Sequence, residues 1–234
     1  MKRKSAKRPP SPAPSPTGRN EEGGEVAKAR TLAVLRTLKK AYPDATCALD
    51  STNAFELLAA TILSAQCTDV RVNMVTPELF RRYPSPSALA AAEQGEVEAI
   101  IRSTGFFRNK ARNLIAMAQS LVADHDGEVP NTMVALQRLP GVGRKTANVL
   151  LGNWFGINEG ITVDTHVTRI ARLLKLTRHS DAVKIEGDLM ALVPKEDWTI
   201  VSHLLITHGR AVCIANRPRC GECVIARYCP SRLI

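Results

Sequence analysis

The sequence is poor in aromatic residues and contains no long apolar run. Phe, Trp and Tyr make up 4% of the 234 residues, which disfavours an RNA-binding sheet that stacks bases on aromatic rings. Nowhere do about 18 apolar residues follow one another, so we expect no membrane-spanning helix. The basic first residues are not followed by an apolar segment, which argues against a secretory signal. The apolar fraction of 44% is nonetheless that of a globular protein with a core.

Acidic residues are almost missing from the two ends of the chain. Residues 1–19 carry six basic and no acidic side chains, residues 210–234 carry five basic and one acidic, and the part between them is neutral. A neutral body with two basic ends suggests a polyanionic partner such as DNA, although a solvated tail explains the first of them equally well. We expect the basic, proline-rich residues 1–24 to form a disordered tail.

The sequence also lacks the period-two alternation of half-buried strands. After residue 25, apolar residues instead recur three and four positions apart, which is the pattern of amphipathic helices. Such stripes run through residues 32–42, 111–122, 147–154, 167–174 and 198–208. The segment Leu57–Ala65 is apolar nearly all round, which indicates a fully buried helix. The sequence therefore predicts an all-α protein with short Gly/Pro connections between its helices.

Two glycines interrupt the helical pattern in the segment 139–147, LPGVGRKTA. Pro140 ends one predicted helix, while Gly141 and Gly143 permit a tight turn that leaves the backbone bare. The next helix then begins with N–H groups and the positive end of its dipole, which together favour a phosphate. This arrangement is typical of a helix-hairpin-helix that grips a DNA backbone, and a plain αα-hairpin is the alternative.

Lys145 and Asp164 each stand at the start of a predicted helix. The dipole disfavours the positive charge of Lys145 and so favours the neutral amine that a nucleophile needs; a second phosphate contact is the alternative role. Asp164 occupies the N-cap position before the stripe at 167–174, so it is either a cap alone or a cap that is also a catalytic carboxylate. Their spacing does not say whether the two side chains meet.

Four of the six cysteines are concentrated near the C-terminal end, as C-x6-C-x2-C-x5-C. They are Cys213, Cys220, Cys223 and Cys229. Thiolates this close together require a metal, and a single short C-x2-C pair fits a [4Fe–4S] cluster better than zinc, which remains the alternative. Arg217 and Arg219 lie in the longest gap and form a candidate phosphate clamp. We expect Cys47 and Cys67 to be buried thiols in helices.

Together these motifs resemble the endonuclease III family of base-excision DNA glycosylases with apurinic/apyrimidinic lyase activity. The resemblance covers about residues 27–232, and the matching motifs besides the cysteines are LSAQCTD at 63–69, TGFFRNK at 104–110, LPGVGRKTA at 139–147 and VDTH at 163–166. It implies two helical domains with a DNA-binding cleft between them. One is a six-helix barrel containing the helix-hairpin-helix, at 47–158. The other is an iron–sulfur cluster domain at 159–234, which packs with an N-terminal helix at 25–46.

The resemblance also implies roles for individual residues. Lys145 is expected to be the nucleophile, Asp164 its catalytic carboxylate, and the four C-terminal cysteines the ligands of a [4Fe–4S] cluster. Gln66 matches a glutamine that fills the gap left by an extruded base, and Phe106 stands where the family has an aliphatic wedge. The other residues expected to contact DNA are Gly141, Gly143, Arg144, His166, Arg217 and Arg219.

The implied activity is removal of oxidised pyrimidines from duplex DNA through a Lys145 Schiff base, with strand cleavage 3′ to the abasic site. The expected partner is double-stranded DNA that contains damaged bases or abasic sites. The protein is expected to be a monomer and not to bind membranes. Such a protein is cytoplasmic and nucleoid-associated in a bacterium, and nuclear or mitochondrial in a eukaryote. The alternatives are a non-catalytic DNA-binding module and the adenine-glycosylase branch, which lacks the hairpin lysine and uses an early carboxylate that Leu57–Gln66 does not contain.

Overall fold

Helices make up all the regular structure in the part of the chain that the structure describes. The computed structural model describes residues 17–233, with side chains from residue 24 onward. Within that part there are eleven α-helices, four short 3-10 helices and no β-strand. The α-helices are α1 Thr17–Ala41, α2 Ala54–Leu63, α3 Asp69–Arg82, α4 Pro86–Ala90, α5 Gln94–Ile101, α6 Phe107–Asp124, α7 Met133–Arg138, α8 Arg144–Asn153, α9 Thr165–Leu173, α10 Ala182–Leu192 and α11 Trp198–Ala211. The prediction of an all-α protein is confirmed.

Local side-chain caps determine where several helices begin. Asn53 Oδ1 accepts a hydrogen bond from the backbone N–H of Glu56 at 2.9 Å and so caps α2. The Glu56 carboxylate in turn accepts from the backbone N–H of Thr52 at 2.7 Å, which makes a reciprocal pair like a capping box. A cap of this kind contributes about 1 kcal/mol to helix stability. These residues therefore fix the entrance to the most buried helix of the molecule.

The first hydrophobic core lies among α2–α8, all of which contribute buried apolar side chains. Eight of the ten residues of α2 are buried, as its mostly apolar sequence predicts. The helix α4 is only five residues long, so this domain consists of six longer helices and one additional turn. The hairpin formed by α7 and α8 belongs to it, as the resemblance implies.

A second core joins the two ends of the described chain. Val34, Leu35 and Leu38 of α1 pack with buried residues of α9, α10 and α11. The protein therefore has two helical domains, while the limits at 46/47 and 158/159 remain a prediction. Helix α1 begins at Thr17, inside the segment 1–24 that we expected to be a tail, and residues 1–16 of that segment lie outside the described residues.

Several side chains differ from the sequence-based expectation. Val122, the last member of the stripe at 111–122, is 42% exposed, and Ala65 is exposed because α2 ends at Leu63, before the predicted end of the buried helix. Trp154, the last member of the stripe at 147–154, is 43% exposed because α8 ends at Asn153 and the chain turns away. Cys47 and Cys67 lie in loops rather than helices and are only half-buried. Partial burial still raises the pKa of the Cys47 thiol. Among the described residues, no helix is long and apolar enough to cross a membrane.

Candidate active site

A cavity of about 250 Å³ opens between the two domains. The first domain lines it with residues 46–49, the end of α2 and the start of α8, and the second lines it with the start of α9 and with α11. Lys145 and Asp164 both face this cavity. The structure therefore places Lys145 and Asp164 at the same cavity, which their positions in the sequence did not establish.

Lys145 lies in the first turn of α8 and its side chain is exposed. The N-cap of this helix is Gly143, which has no side chain to cap the first-turn N–H groups. The positive end of the helix dipole therefore lies at this first turn, beside the residue that carries the lysine amine. The same bare helix end is suited to a phosphate group.

Asp164 is the N-cap of α9, as predicted. Its Oδ1 accepts a hydrogen bond from the backbone N–H of Val167 at 2.8 Å, and the residue is half-buried. The cap fixes the carboxylate at the edge of the cavity. Its charge is also felt by His166, whose pKa is lowered by burial against the opposing effect of Asp164.

The two hairpin glycines serve different needs. Gly141 has a φ of +79°, and a Cβ there would lie 2.9 Å from the Cβ of Asn113 on α6. Gly143 has a φ of −91° and no atom within 4 Å of a Cβ position. Neither the backbone nor the packing of this chain requires a glycine at 143, so the missing side chain leaves open surface for a molecule outside the chain.

Gln66 and Phe106 both adopt left-handed backbone conformations. Their φ angles are +52° and +48°, which are uncommon for residues other than glycine and carry a conformational cost. Both side chains are exposed, and that of Phe106 is 65% accessible to solvent. The resemblance identified these two positions, whereas the sequence carried no signal for the strained backbone.

Arg144 forms an ion pair with another residue of this chain. Its Nε and Nη2 donate to the two carboxylate oxygens of Glu186 on α10, at 2.8 and 2.9 Å. Asn148 Nδ2 donates to the same buried carboxylate at 2.9 Å. This pair connects the hairpin to the second domain, and it raises the pKa of the Arg144 guanidinium. The expected DNA contact of Arg144 remains a prediction.

The other predicted DNA contacts lie in the second domain. His166 packs on α11, where a Cβ on Gly209 would lie 2.9 Å from its Nδ1. Arg217 and Arg219 are exposed in the loop after α11, and Arg219 pairs with Glu222 at 3.4 Å. Their contacts with DNA also remain predictions.

One ion pair at the cavity was not identified from the sequence. Arg210 Nη2 at the end of α11 donates to Asp69 Oδ2 at the start of α3, at 2.6 Å, and both residues line the cavity. The pair connects the two domains across the cleft. Because its members lie 141 residues apart, no local pattern relates them.

The four C-terminal cysteines line one cavity of about 280 Å³ beside α9. In the described part of the chain, no group of three or more His, Cys, Asp or Glu side chains is arranged as a metal site. A zinc ion needs four ligands at about 2.0–2.3 Å from one centre, whereas a cubane cluster distributes its four thiolates over four iron atoms. The shared cavity brings the four thiols to one place, and the choice between a cluster and zinc still rests on the spacing of the cysteines in the sequence.

A chain of hydrogen bonds ends at one of these sulfurs. His208 is 1% exposed, with its Nε2 3.5 Å from Cys223 Sγ and its Nδ1 2.9 Å from the Tyr42 hydroxyl. Burial lowers the pKa of His208 and raises that of Tyr42, which keeps both groups neutral. The neutral imidazole therefore has one donor and one acceptor nitrogen for these two contacts.

Comparison with known protein families identifies one match along the chain. The HhH-GPD superfamily of base excision DNA repair proteins matches residues 59–195. Endonuclease III of Synechocystis sp. is 55% identical over 204 residues, which cover 87% of this chain and 93% of the relative. Endonuclease III of Bacillus subtilis is 46% identical over 189 residues, covering 80% and 86% of the two chains.

Solved structures show the same relationship. A trapped covalent intermediate of an endonuclease III with DNA superposes with a TM-score of 0.83 at 43% identity, and the match covers 87% of this chain and 96% of that chain. A thermostable thymine-DNA glycosylase superposes with a TM-score of 0.71 at 19% identity over 91% and 98% of the two chains, so it shares the fold.

Proposed function

Because the chain belongs to the HhH-GPD superfamily of base excision DNA repair proteins, and within it to the endonuclease III family, we propose that it is a bifunctional DNA glycosylase and apurinic/apyrimidinic lyase. Its substrate is duplex DNA that contains oxidised pyrimidines or abasic sites. The observation that carries the proposal is the shared cavity of Lys145 and Asp164 between the two domains. The adenine-glycosylase alternative is disfavoured because it lacks a lysine in the hairpin.

Binding begins with the backbone of the damaged strand. The bare surface at Gly143 and the N-terminal end of α8 receive a phosphate. The damaged base leaves the stack, at a cost that the lesion itself reduces. Gln66 and Phe106, which are exposed on strained loops, fill the gap in the duplex.

The amine of Lys145 then attacks C1′ of the extruded nucleotide. The new C–N bond forms as the bond to the base breaks, and the base departs with the electron pair. Asp164 accepts the proton that the attacking amine loses, and its negative charge stabilises the positive charge that develops on the sugar. Opening of the sugar ring gives a Schiff base between Lys145 and C1′.

The Schiff base makes the C2′ hydrogen acidic. Loss of this proton moves an electron pair into a C2′–C3′ double bond and expels the 3′ phosphate, which cuts the strand 3′ to the abasic site. Water then hydrolyses the Schiff base and restores Lys145. The lysine therefore serves both the glycosylase and the lyase steps.

Borohydride trapping tests the nucleophile. Reduction of the Schiff base in a reaction with an abasic duplex is expected to give a covalent protein–DNA adduct. Lys145→Ala forms none, whereas Lys184→Ala, which removes an exposed lysine on α10, forms it normally. Mass spectrometry is expected to find the sugar remnant on Lys145, and a remnant on any other side chain contradicts the assignment.

Replacing Asp164 separates its two roles. Asp164→Asn keeps the cap on α9, because asparagine also accepts from the N-terminal N–H groups of a helix, but it cannot take the proton from Lys145. We expect an unchanged melting temperature and a loss of most turnover on a thymine glycol duplex. Normal turnover per folded molecule would reduce Asp164 to a cap alone.

We further propose that Cys213, Cys220, Cys223 and Cys229 hold a [4Fe–4S] cluster. The support is their common cavity and their uneven spacing around one C-x2-C pair. Held by these four residues, the cluster would fix the loop that carries Arg217 and Arg219. Purified protein is expected to be brown and to contain iron. Cys220→Ser loses the colour, whereas Cys47→Ser keeps it, and a colourless protein containing zinc contradicts the cluster.

The proposed enzyme acts on DNA as a monomer. The relatives named above come from bacteria, so its proposed place is the bacterial cytoplasm, in association with the nucleoid. A non-catalytic DNA-binding module is the alternative, and abasic DNA that stays intact after incubation with the protein would support it.

A further inference from the structure

Lys110 is a buried lysine that the proposed chemistry does not use. It lies in the first turns of α6 and is only 5% exposed. Its Nζ donates hydrogen bonds to the backbone carbonyls of Leu63 and Thr104, both at 2.8 Å. Burial lowers the pKa of Lys110, and Cys67 opposes that shift. Burying an ammonium group costs free energy unless it is hydrogen-bonded. The two carbonyls offset part of this cost, and the presence of a lysine at this position needs a reason.

The two carbonyls lie where the loops that carry Gln66 and Phe106 begin. Leu63 is the last residue of α2, three positions before Gln66, and Thr104 stands two positions before Phe106. The backbone N–H of Lys110 also donates to the carbonyl of Phe106, at 3.1 Å. Lys110 therefore restrains the backbone that leads to both Gln66 and Phe106.

Both loops need such a restraint. Gln66 and Phe106 hold left-handed backbone conformations, which persist only where the surrounding structure determines them. Neither side chain can provide the restraint itself, because both are exposed. The ammonium of Lys110 lies between the two loops and is bonded to each.

We propose that Lys110 is a positioning residue that holds the loops 64–67 and 104–106 at a fixed separation, so that Gln66 and Phe106 enter the duplex as one unit. This inference rests on the proposed function. Asn113, less than one turn further along α6, lies against Gly141 of the hairpin. The same helix thus relates both insertion loops to the element that grips the DNA backbone.

The test uses Lys110→Met, which keeps an unbranched apolar chain and removes the donors. The matched control is Leu121→Ala, a fully buried position near the other end of α6, which destabilises the same domain without touching either loop. We measure the Kd for a duplex that contains a tetrahydrofuran abasic analogue. Lys110→Met is expected to raise this Kd about tenfold, and Leu121→Ala is expected to leave it nearly unchanged.

A double-mutant cycle separates positioning from ordinary packing. In a Gln66→Ala/Phe106→Ala background, Lys110→Met is expected to leave the Kd unchanged while it lowers the melting temperature as much as in the parent protein. Equal weakening in both backgrounds, or no weakening in the parent, overturns the proposal. If Lys110→Met does not fold, Lys110→Gln, which keeps a donor for one carbonyl, goes through the same cycle.

The failure of this inference can be told from failure of the proposed function. Borohydride trapping of the parent protein on a single-stranded abasic oligonucleotide depends on Lys145 but offers no opposite strand for the insertion loops to displace. Absence of an adduct on this oligonucleotide and also on an abasic duplex overturns the function. Its presence, combined with additive effects in the cycle, overturns only the role of Lys110.

Discussion

At the scale of single residues, the hairpin contains two glycines that the sequence cannot tell apart. Gly141 is required by its positive φ and by the side chain of Asn113, whereas Gly143 has an ordinary φ and open space where a Cβ would lie. The first glycine therefore serves the fold, and the second leaves room for a ligand. Substitution by alanine should affect two different properties.

Gly141→Ala is expected to lower the free energy of unfolding by about 1–3 kcal/mol, because it combines an unfavourable φ with a steric overlap. Gly143→Ala is expected to leave that free energy within about 1 kcal/mol of the parent value, but to weaken binding to an abasic duplex. Urea denaturation and fluorescence anisotropy of a labelled duplex measure the two effects. Equal destabilisation by both substitutions would contradict this distinction.

At the scale of helices, α8 is attached to the second domain through a buried carboxylate on α10. Glu186 is 5% exposed and accepts hydrogen bonds from Arg144 and Asn148. The Arg144 side chain is 38% exposed and the Glu186 side chain 7%. Glu186, which water scarcely reaches, therefore needs its partner more than Arg144 does.

Removing Arg144 should cost more than removing the charge of Glu186. Arg144→Ala leaves a buried carboxylate with a single amide partner, and we expect it to lower the free energy of unfolding by about 3 kcal/mol. Glu186→Gln leaves an arginine that water can solvate and should cost about 1 kcal/mol. Chemical denaturation checks the order of the two values, and the reverse order would indicate that the Arg144 charge is the more deeply desolvated group.

Local signals in the sequence predicted residues of the candidate site better than the long-range contacts that hold these residues in place. The hairpin, Lys145 and the Asp164 cap were predicted because each depends on neighbours within a few residues. The contacts of Asp69 with Arg210, of Lys110 with Leu63 and of Arg144 with Glu186 span 141, 47 and 42 residues. Long-range pairs of this kind depend on the packing of whole helices, which hydrophobic periodicity does not specify. Arg144 was accordingly assigned to DNA without its internal partner.

At the scale of the whole molecule, two partly buried histidines lie at helix contacts of the second domain, one of them against the first domain. His203 on α11 contacts Asn153 on α8 with 2.6 Å between Nε2 and Oδ1, and His166 packs between α9 and α11. Burial lowers the pKa of both rings. The folded protein therefore resists protonation that the unfolded chain accepts.

Stability should consequently fall in mildly acidic solution. Above about pH 6.5 both states keep these rings neutral. As the pH falls below this value, the unfolded chain takes up protons first, so the free energy of unfolding decreases until the folded pKa values are reached. We expect the melting temperature to drop between pH 7 and pH 5, with a shallower slope for His203→Gln. An equal slope in that variant would exclude His203 as a contributor.

The placement of α1 has a consequence for biosynthesis. This helix leaves the ribosome before any other described element, yet the helices it packs on, α9–α11, are synthesised last. Its apolar face must therefore remain uncovered while the intervening first domain emerges. A nascent chain that stops before α11 lacks part of the surface on which α1 packs and also lacks Arg210, the partner of Asp69. The cleft can therefore close only after α11 has been synthesised.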